Sequence, residues 1–573
     1  LSTAAQAQTV VEGEVSGVWT PDGSPYQVVL DDISVAAGDS LVIEPGVAVH
    51  FWPNRSFTIY GTLLAVGEPG DSIRFSWPSV IPNPGSWVGM TFSGVSSSGS
   101  TVARAIISSG TDNLTIQSGS SPRFTDLVVE APSFAAVTIE GGNPRFDNLR
   151  IGFGINSDAS YGLRITGGRP VVQGGRITDA PVNGVQVTGE AVPTLADLLI
   201  ESPSNNGVYL HDIEGATLSG IRVENAGVRG IFADGCSSLT LDHNEIWRSV
   251  ASGLYISGGS GHTLSYNTVL DAGYGSTQNS NGLMLGTNTN ATLFGNIVAE
   301  CSGVGFWAQN VVTSSYSCYW NNAEGSYGAY AFGGVGDIEQ DPQFVQPAFG
   351  NIDLNANSPC IDAGNPSDTD PDGTRADIGA RFYNQNTRPV IDGVVPEDPL
   401  LQGYSWGDVI DFSVTAHDPD PGHEISYRWT YRGEEISTAS TASIVVRSEQ
   451  GDSVVVELDD GYYEGVTRFT WTFDAVPVND EPGAALPERF AVAAVHPNPF
   501  NAATRVTLTV PRRGTVRLAV YDVLGRKIAA RTRSTAGGHE SFTLGGADWS
   551  SGVYFLRASF GGESVLVKVV LIR

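Results

Sequence analysis

The chain has 573 residues, 69 glycines, only 16% charged residues and a formal net charge of −30. This length allows several domains, and frequent glycines between short apolar segments exclude a mainly helical protein. Residues 486–573 carry 12 basic and 5 acidic residues, so the first 485 residues hold a charge of −37 and no lysine. Such an acidic body excludes nucleic acid and anionic membranes as its partners. No apolar run approaches the roughly 18 residues of a transmembrane helix.

The first residues and the cysteines indicate export. Residues 1–7 are interpreted as a signal-peptide remnant, because Ala5-Gln6-Ala7 fits a small-x-small cleavage site. An oxidising compartment permits disulfides, and among the three pairings that four cysteines allow we favour Cys318 with Cys360. The four cysteines are Cys236, Cys301, Cys318 and Cys360.

A glycine repeat dominates the next region. Each glycine precedes an apolar–any–apolar triplet such as Val208-Tyr209-Leu210, and the spacings are 22, 23, 23, 23, 29 and 23 residues. A fixed period of this length, with alternation typical of strands, predicts a solenoid of β-strand coils. The glycines are Gly162, Gly184, Gly207, Gly230, Gly253, Gly282 and Gly305.

A second column of the same period supports the solenoid. Its strands begin at residues 195, 218, 241, 264 and 293, and each reaches an apolar residue five places on. Three places after these starting residues, the side chain changes from Leu198 and Ile221 to Asn244, Asn267 and Asn296. Stacked asparagines can exchange side-chain hydrogen bonds at the roughly 4.8 Å strand spacing, so an asparagine ladder is predicted.

These repeats resemble a right-handed parallel β-helix of the pectate-lyase-like superfamily, in its bacterial secreted branch. The resemblance implies an all-β β-helix over residues 8–385 with opening coils and a closing cap. The stretches that carry it outside the repeat are 35–47, 60–65, 85–89, 341–344, 357–364 and 372–379.

The catalytic residues of the superfamily are not in their usual arrangement. The resemblance implies a lyase, with an arginine or lysine base beside calcium, or a hydrolase, with aspartates on adjacent coils and a Gly-His-Gly segment. The repeat has no lysine, its arginines are out of register with acidic clusters, and Gly261-His262-Thr263 departs from the hydrolase pattern. His211-Asp212 and Asp242-His243 remain loose candidates, against the simpler reading of solvated histidines. No catalytic residue is assigned.

The central residue of each triplet is predicted to point outward, because alternation turns its neighbours inward. Five successive coils then display four rings and a methionine, which we call the aromatic row. The flanking glycines are expected to leave the ring faces uncovered for stacking on sugars. Two other readings stay open: the rings stack on one another, or a loop at 275–281 covers them. The aromatic row consists of Tyr209, Phe232, Tyr255, Met284 and Trp307.

An acidic turn near the end of the repeat is a candidate metal site. Asp368, Asp370 and Asp372 alternate before a glycine, and Asp377 follows. Carboxylates in this pattern can wrap a hard cation, so the four aspartates predict a structural calcium ion that holds the closing cap. A plain acidic turn is the alternative, because Gly379 replaces the acidic residue that closes an EF-hand loop.

Residues 386–478 are predicted to form an antiparallel module. Its alternating strands are separated by the turns Asp418-Pro-Asp-Pro-Gly422 and Asp459-Asp-Gly461. The pattern resembles immunoglobulin-like and PKD-like modules, with Trp429 as a buried anchor. A linker over residues 479–487 follows. The predicted strands are 409–414, 425–430, 453–458 and 467–473.

Residues 488–573 carry three ordered blocks that resemble the type A C-terminal sorting domain of the type IX secretion system. The resemblance implies a β-sandwich, passage across the outer membrane through that machinery, and later removal of the domain. Ala502-Ala503 departs from the Pro-Thr that is usual after the first block. The blocks are His496-Pro-Asn-Pro-Phe-Asn501, Val520-Tyr-Asp-Val-Leu-Gly-Arg-Lys527 and Ser550-Ser-Gly-Val-Tyr-Phe-Leu-Arg557.

Together these patterns predict an exported protein of the cell surface or extracellular space. The favoured function is non-catalytic binding or adhesion to extracellular polysaccharide through the aromatic row. A polysaccharide lyase or glycoside hydrolase is one alternative. Self-association of β-helices into a surface layer or fibre is the other.

Overall fold

The computed structural model describes residues 9–79, 83–153, 159–276, 280–404, 407–446, 452–473, 487, 489–501, 503–523, 525–535, 537–545 and 549–572. The chain forms two compact units, Leu1–Asn384 and Gln385–Arg573. The predicted signal-peptide remnant and residues 479–486 of the predicted linker lie outside the described residues. No helix within the described ranges is long and apolar enough to cross a membrane. The short 3-10 helices are Pro21–Gly23, Val95–Gly99 and Pro347–Phe349.

The first unit is a parallel β-solenoid followed by an antiparallel hairpin. Its strands are β1 (Thr9–Glu14), β2 (Gly17–Trp19), β3 (Tyr26–Val35), β4 (Ser40–Ile43), β5 (Ala48–Phe51), β6 (Ser56–Ile59), β7 (Thr62–Val66), β8 (Ile73–Ser76), β9 (Gly89–Phe92), β10 (Thr101–Ala103), β11 (Ala105–Ser108), β12 (Asp112–Ile116), β13 (Arg123–Glu130), β14 (Ala135–Ile139), β15 (Arg145–Gly152), β16 (Tyr161–Ile165), β17 (Val171–Thr178), β18 (Asn183–Thr188), β19 (Thr194–Glu201), β20 (Val208–His211), β21 (Glu214–Ser219), β22 (Arg222–Ala226), β23 (Ile231–Asp234), β24 (Ser237–Asp242), β25 (Glu245–Ser249), β26 (Leu254–Ser257), β27 (His262–Ser265), β28 (Thr268–Ala272), β29 (Leu283–Leu285), β30 (Ala291–Phe294), β31 (Ile297–Ala299), β32 (Phe306–Ser315), β33 (Cys318–Trp320), β34 (Tyr327–Phe332), β35 (Phe344–Gln346) and β36 (Asn351–Leu354).

Each coil places strands in three parallel sheets, and each strand pairs with its equivalent one coil away. In the repeat, sheet A contains β16, β18, β20, β23, β26, β29 and β32, which carry the glycine triplets. Sheet B contains β17, β19, β21, β24, β27 and β30. Sheet C contains β22, β25, β28, β31 and β33. It also contains the second halves of the long strands β17 and β19, whose first halves belong to sheet B. The predicted parallel solenoid is therefore confirmed.

The repeated glycines lie inside the solenoid rather than on its surface. A Cβ at Gly253 would lie 2.3 Å from Cγ1 of Val269, and one at Gly207 would lie 2.5 Å from Cγ1 of Val223. Val223 and Val269 belong to the second apolar column of the sequence. The two columns thus pack against each other inside the coils, so the period of the glycines follows from lack of space for a side chain.

The predicted asparagine ladder is present and buried. Nδ2 of Asn244 donates to Oδ1 of Asn267 at 2.8 Å, and Nδ2 of Asn267 donates to Oδ1 of Asn296 at 2.9 Å. Each Oδ1 also accepts the backbone N–H of the preceding coil's asparagine. At Ser317 the hydroxyl takes over this role by accepting the N–H of Asn296 at 3.1 Å.

The predicted closing cap, called here the closing segment (residues 341–384), packs on the outer surface of sheet C. Its apolar side chains form a cluster with outward residues of β28, β31 and β33. Arg381 donates to Glu245 of β25 at 2.7 Å, and Arg222 of β22 donates to the carbonyl of Gly350 at 2.7 Å. The buried residues of this cluster are Leu270, Ile297, Ala299, Cys318, Phe344, Ile352, Leu354, Cys360 and Ile378.

All four cysteines are free thiols, but the pair favoured from the sequence is in contact. A hydrogen bond with Cys318, together with burial, raises the pKa of Cys360. We expect oxidised glutathione to close this pair, because its own disulfide is broken and its two thiols take up the two electrons and the two protons. Maleimide labelling in denaturant, after incubation with oxidised glutathione, should then leave Cys236 and Cys301 as the labelled residues. Labelling of Cys318 and Cys360 after this treatment would contradict the pairing.

Among its described residues, the second unit is built from antiparallel sheets, with parallel pairing between β38 and β44 and at the bridge between Phe500 and Leu571. Its strands are β37 (Val390–Val395), β38 (Leu400–Leu401), β39 (Val409–His417), β40 (Ser426–Tyr431), β41 (Glu434–Ser437), β42 (Thr441–Val445), β43 (Ser453–Asp459), β44 (Val466–Phe473), β45 (Ala491–His496), β46 (Ala503–Val510), β47 (Gly514–Asp522), β48 (Lys527–Thr535), β49 (Gly538–Gly545), β50 (Gly552–Phe560) and β51 (Glu563–Leu571).

The four strands predicted between residues 409 and 473 are present as β39, β40, β43 and β44. Trp429 is fully buried, as predicted, and its indole N–H donates to the carbonyl of Ala439 at 2.7 Å. It stacks on Trp471 with ring centroids 5.6 Å apart. The all-β fold class is confirmed, and the immunoglobulin-like assignment stays an interpretation.

The C-terminal region forms a three-stranded and a four-stranded antiparallel sheet. The first sequence block is attached to the last strand, because Asn498 accepts the N–H of Val570 at 2.9 Å and donates to the carbonyl of Lys568 at 3.0 Å. Phe500 is buried next to this contact and accepts the N–H of Ile572 at 2.8 Å. The block therefore joins the beginning of this region to its end.

Candidate binding face on the β-helix

The aromatic row lies in register along sheet A. Tyr209 pairs with Phe232, Phe232 with Tyr255, Tyr255 with Met284, and Met284 with Trp307 on neighbouring strands. All five side chains are half-buried. The predicted outward direction agrees with this partial exposure, because both neighbours of each row residue on its strand are buried.

Three rings of the row stack on one another. The ring centroids of Tyr209 and Phe232 are 5.3 Å apart, and those of Phe232 and Tyr255 are 5.2 Å apart, with interplanar angles of 18°. The expectation that the glycines leave the ring faces uncovered was wrong, because the glycines lie inside the coil and the ring faces meet each other.

Trp307 lies at the other end of the row. Its strand neighbours are Met284 on one side and Gly328, which has no side chain, on the other. The hydroxyl of Ser252 donates a long hydrogen bond of 3.9 Å to the sulfur of Met284. At this end of the row, the indole of Trp307 therefore has Gly328, which lacks a side chain, as its neighbour on the next strand.

The guanidinium of Arg229 lies over the middle of the row. Its Cζ is 4.6 Å from the ring centroid of Phe232 and 5.2 Å from that of Tyr255. Burial lowers the pKa of Arg229, and its Nε is buried without a hydrogen-bond partner. Arginine stays charged in proteins, so the row carries a fixed positive charge. Sequence reasoning missed Arg229 because it precedes a repeat glycine and lies outside the triplet.

An imidazole between two carboxylates lies beside the first ring. His211 stacks on Tyr209 with centroids 5.9 Å apart. Its Nε2 is 3.4 Å from Oδ2 of Asp212, and its Nδ1 is 3.5 Å from Oδ2 of Asp234 on the next coil. Burial raises the pKa of Tyr209, and Asp234 is the next largest cause. One loose candidate from the sequence, His211-Asp212, therefore belongs to the binding face.

The other loose candidate lies away from the row. Asp242 and His243 form a 2.8 Å contact where sheet B bends into sheet C, and His243 stacks on Tyr266. The hydroxyl of Tyr266 donates to Asp368 of the closing segment at 2.7 Å. This pair therefore belongs to the attachment of the closing segment.

The carboxylates of the acidic turn accept hydrogen bonds from nearby backbone N–H groups. Asp370 accepts the N–H of Asp377 at 2.8 Å, Asp372 accepts the N–H of Thr374 at 3.0 Å, and Asp377 accepts the N–H groups of Asp362 and Tyr383. Among the described residues, the side chains that lie close enough together to share a metal ion are not these aspartates. They are a group of three in the second unit. Structural calcium at Asp368, Asp370, Asp372 and Asp377 stays a prediction.

The acidic turn should make stability depend on pH in the presence of chelator. Burial, and next the charge of Asp377, raise the pKa of Asp370 to about 7, and burial raises the pKa of Asp377 to about 6. Both carboxyls hold protons more tightly when folded, so their contribution is complete below the ordinary value of 3.8, declines as pH rises above it, and is lost by about pH 7. The thermal midpoint should fall over this window, and less so in Asp370→Asn, which keeps an acceptor oxygen.

Calcium provides the second part of this test. Calorimetric calcium uptake at about pH 8, with a raised thermal midpoint that Asp370→Asn lacks, is expected if the aspartates bind the ion. Equal melting in calcium and in chelator would remove the calcium prediction. An unchanged pH profile in Asp370→Asn would contradict the assignment of the titration.

Two parts of the chain match known families. Residues 183–340 match the right-handed β-helix region, and residues 494–573 match the secretion-system C-terminal sorting domain. No curated protein matches the chain.

Solved structures resemble the chain at low identity. The periplasmic alginate epimerase AlgG is 12% identical over 54% of this chain and 77% of that chain, with a TM-score of 0.32. The Dettilon tailspike protein is 11% identical over 93% of this chain and 85% of that chain, with a TM-score of 0.34. Dimeric latent PorU from Porphyromonas gingivalis is 17% identical over 34% of this chain, with a TM-score of 0.13, and the match spans only 22% of PorU.

The solenoid and the tail define a secreted right-handed parallel β-helix protein with a C-terminal sorting domain. The sorting domain directs it through the type IX secretion system to the outer surface or the extracellular space.

Proposed function

We propose that the protein binds extracellular polysaccharide along the aromatic row without cleaving it. The observation that carries this proposal is a row of half-buried apolar side chains in register on five successive coils. Apolar side chains kept at a protein surface are typical of binding sites, and a linear row suits a linear chain.

The arrangement of the row indicates how a sugar chain would lie. Tyr209, Phe232 and Tyr255 use their faces on each other, so we assign stacking on a sugar to the half-buried indole of Trp307, which lies outside this stack. Arg229 adds a positive charge on a body of net charge −37. The N–H groups of Arg229 can donate hydrogen bonds to sugar oxygens, whereas the negative charge of the body disfavours a polyanionic chain.

Alanine substitutions in the middle and at one end of the row test the proposal. Tyr255→Ala and Trp307→Ala should each weaken retention on a neutral polysaccharide, since a lost aromatic contact of about 1 kcal/mol raises the Kd roughly fivefold. The matched controls are Tyr60→Ala and Trp52→Ala, at surface rings 47% and 37% exposed on remote coils. Retention that is equal in all four variants, measured on a glycan array with folded protein, would contradict binding through the row.

Glycan cleavage is the second candidate function. The imidazole of His211 between two carboxylates favours it, because such a group can transfer protons beside a bound sugar. The same glycans can be assayed for new reducing ends. Cleavage by the wild type that is lost in His211→Ala would replace the binding proposal with an enzymatic one.

A further inference from the structure

Two turns of the second unit, one after β39 and one after β43, bring three potential metal ligands together. Asp418 and His423 lie in the turn after β39, and Asp460 directly follows β43. One ligand atom from each of these three side chains lies within 4.8 Å of the other two. The three residues are 5 to 42 positions apart in the chain, so this cluster is a product of the fold.

The carboxylate of Asp418 is buried, and only one of its two oxygens accepts a hydrogen bond. Its side chain is 3% exposed. Oδ1 accepts the N–H of Asp420 at 2.8 Å, while Oδ2 is buried and has no hydrogen-bond partner. A buried carboxylate oxygen without a donor costs free energy, so a native structure supplies a hydrogen bond or a cation.

The imidazole of His423 faces the same point. Its Nδ1 is buried without a hydrogen-bond partner and lies 3.9 Å from Oδ1 of Asp418, which is too long for a hydrogen bond. The ring stacks on Tyr462 with centroids 4.1 Å apart and an interplanar angle of 22°. This stacking holds Nδ1 toward the carboxylates, as a preorganised ligand requires.

Asp460 completes the cluster from the second turn and is 6% exposed. Its Oδ1 accepts the N–H of Tyr462 at 2.8 Å, and its Oδ2 accepts Nδ2 of Asn386 at 3.0 Å. Each carboxylate oxygen has two acceptor positions, so both oxygens keep capacity for a cation. These hydrogen bonds fix the orientation of the carboxylate.

We propose that Asp418, His423 and Asp460 bind one divalent transition-metal ion of the zinc class. Two carboxylates and one imidazole suit zinc, which accepts nitrogen and oxygen ligands at low coordination number. Calcium instead takes about six to eight oxygen ligands, and the imidazole would supply none. The ion neutralises two buried charges, and the 18% exposure of the His423 side chain leaves room for a water ligand. Binding joins the turn after β39 to the β43–β44 connection.

Metal titration of the full-length protein tests this proposal. Chelator-treated and dialysed protein is titrated calorimetrically with Zn²⁺ and, separately, with Ca²⁺, and Co²⁺ is used as a visible-absorption probe of the ligand geometry. We expect one equivalent of Zn²⁺ to bind and to raise the thermal midpoint. Asp418→Asn and His423→Gln should each lose this equivalent. The matched controls Asp459→Asn and His417→Gln, at an adjacent carboxylate and an exposed histidine of the same module, should keep it.

Three results would overturn the proposal: absence of zinc binding, zinc retained in both site variants, or binding of calcium in place of zinc that Asp418→Asn removes. Melting curves in chelator show whether each variant is folded. His423 lies at the edge of the cluster, so His423→Gln keeps the proposal testable if Asp418→Asn fails to fold.

Discussion

Replacing Gly253 by alanine is expected to destabilise the β-helix by about 3 kcal/mol. A Cβ at this position would lie 2.3 Å from Cγ1 of Val269 and 3.1 Å from the carbonyl oxygen of Gly282. The first contact is a rigid branched side chain in the core, and the second is backbone of the next coil, so neither can move away at low cost. Because coils are stable only through their neighbours, this damage should spread along the solenoid.

Differential scanning calorimetry of the full-length protein measures this effect as a lower transition for the β-helix. Gly152→Ala is the matched control, because a Cβ at Gly152 meets no atom within 4 Å, and it should change stability by less than about 0.5 kcal/mol. In a double-mutant cycle, Val269→Ala should recover part of the cost of Gly253→Ala. Additive costs would contradict the packing of Gly253 against Val269.

Replacing Asn267 by leucine is expected to cost roughly 3 to 5 kcal/mol, because it leaves several buried groups without their partners. Oδ1 of Asn267 accepts two hydrogen bonds from Asn244, and its Nδ2 donates to the carbonyl of Leu241 at 2.9 Å and to Asn296. Asn267 is 1% exposed, so water cannot replace these bonds. Leucine has nearly the right size but no polar atom.

Calorimetric melting again provides the measurement. Asn143→Leu is the control, since Asn143 is exposed and accepts one backbone hydrogen bond from Arg169. The double variant Asn244→Leu with Asn267→Leu should cost less than the sum of the single changes, because the second change removes a group that the first has already left unsatisfied. Strict additivity would show that the asparagines act separately rather than as a ladder.

The solenoid was predictable from the sequence because its contacts are local in a periodic sense. Every coil packs on the coil about 23 residues away, so the spacing of Gly207, Gly230 and Gly253 reports directly which residues pair. The asparagine ladder follows from the same register. The sorting tail was recognisable because its three blocks occur together and in order.

The direction of the glycines was not predictable from alternation. Gly207, Val208 and Leu210 are all buried, so strict period-two reasoning fails at the point where the chain turns into sheet A. The turn brings Gly207 against Val223 of β22 in sheet C, and only the folded structure shows that contact. The stacking of Tyr209, Phe232 and Tyr255 is a further consequence of ring orientation, which residue spacing does not specify.

The sequence by itself therefore determined the class of protein, the register of the coils and the row of side chains that faces outward, since all three depend on a repeated local period. Tertiary structure alone decided what covers or completes each surface: Arg229 over the row, Tyr266 bound to Asp368 across 102 residues, and Asp418, His423 and Asp460 at one point. These contacts depend on the paths of turns and of the closing segment. No local pattern encodes such paths, because the two sides of each contact are separated by chain of irregular length.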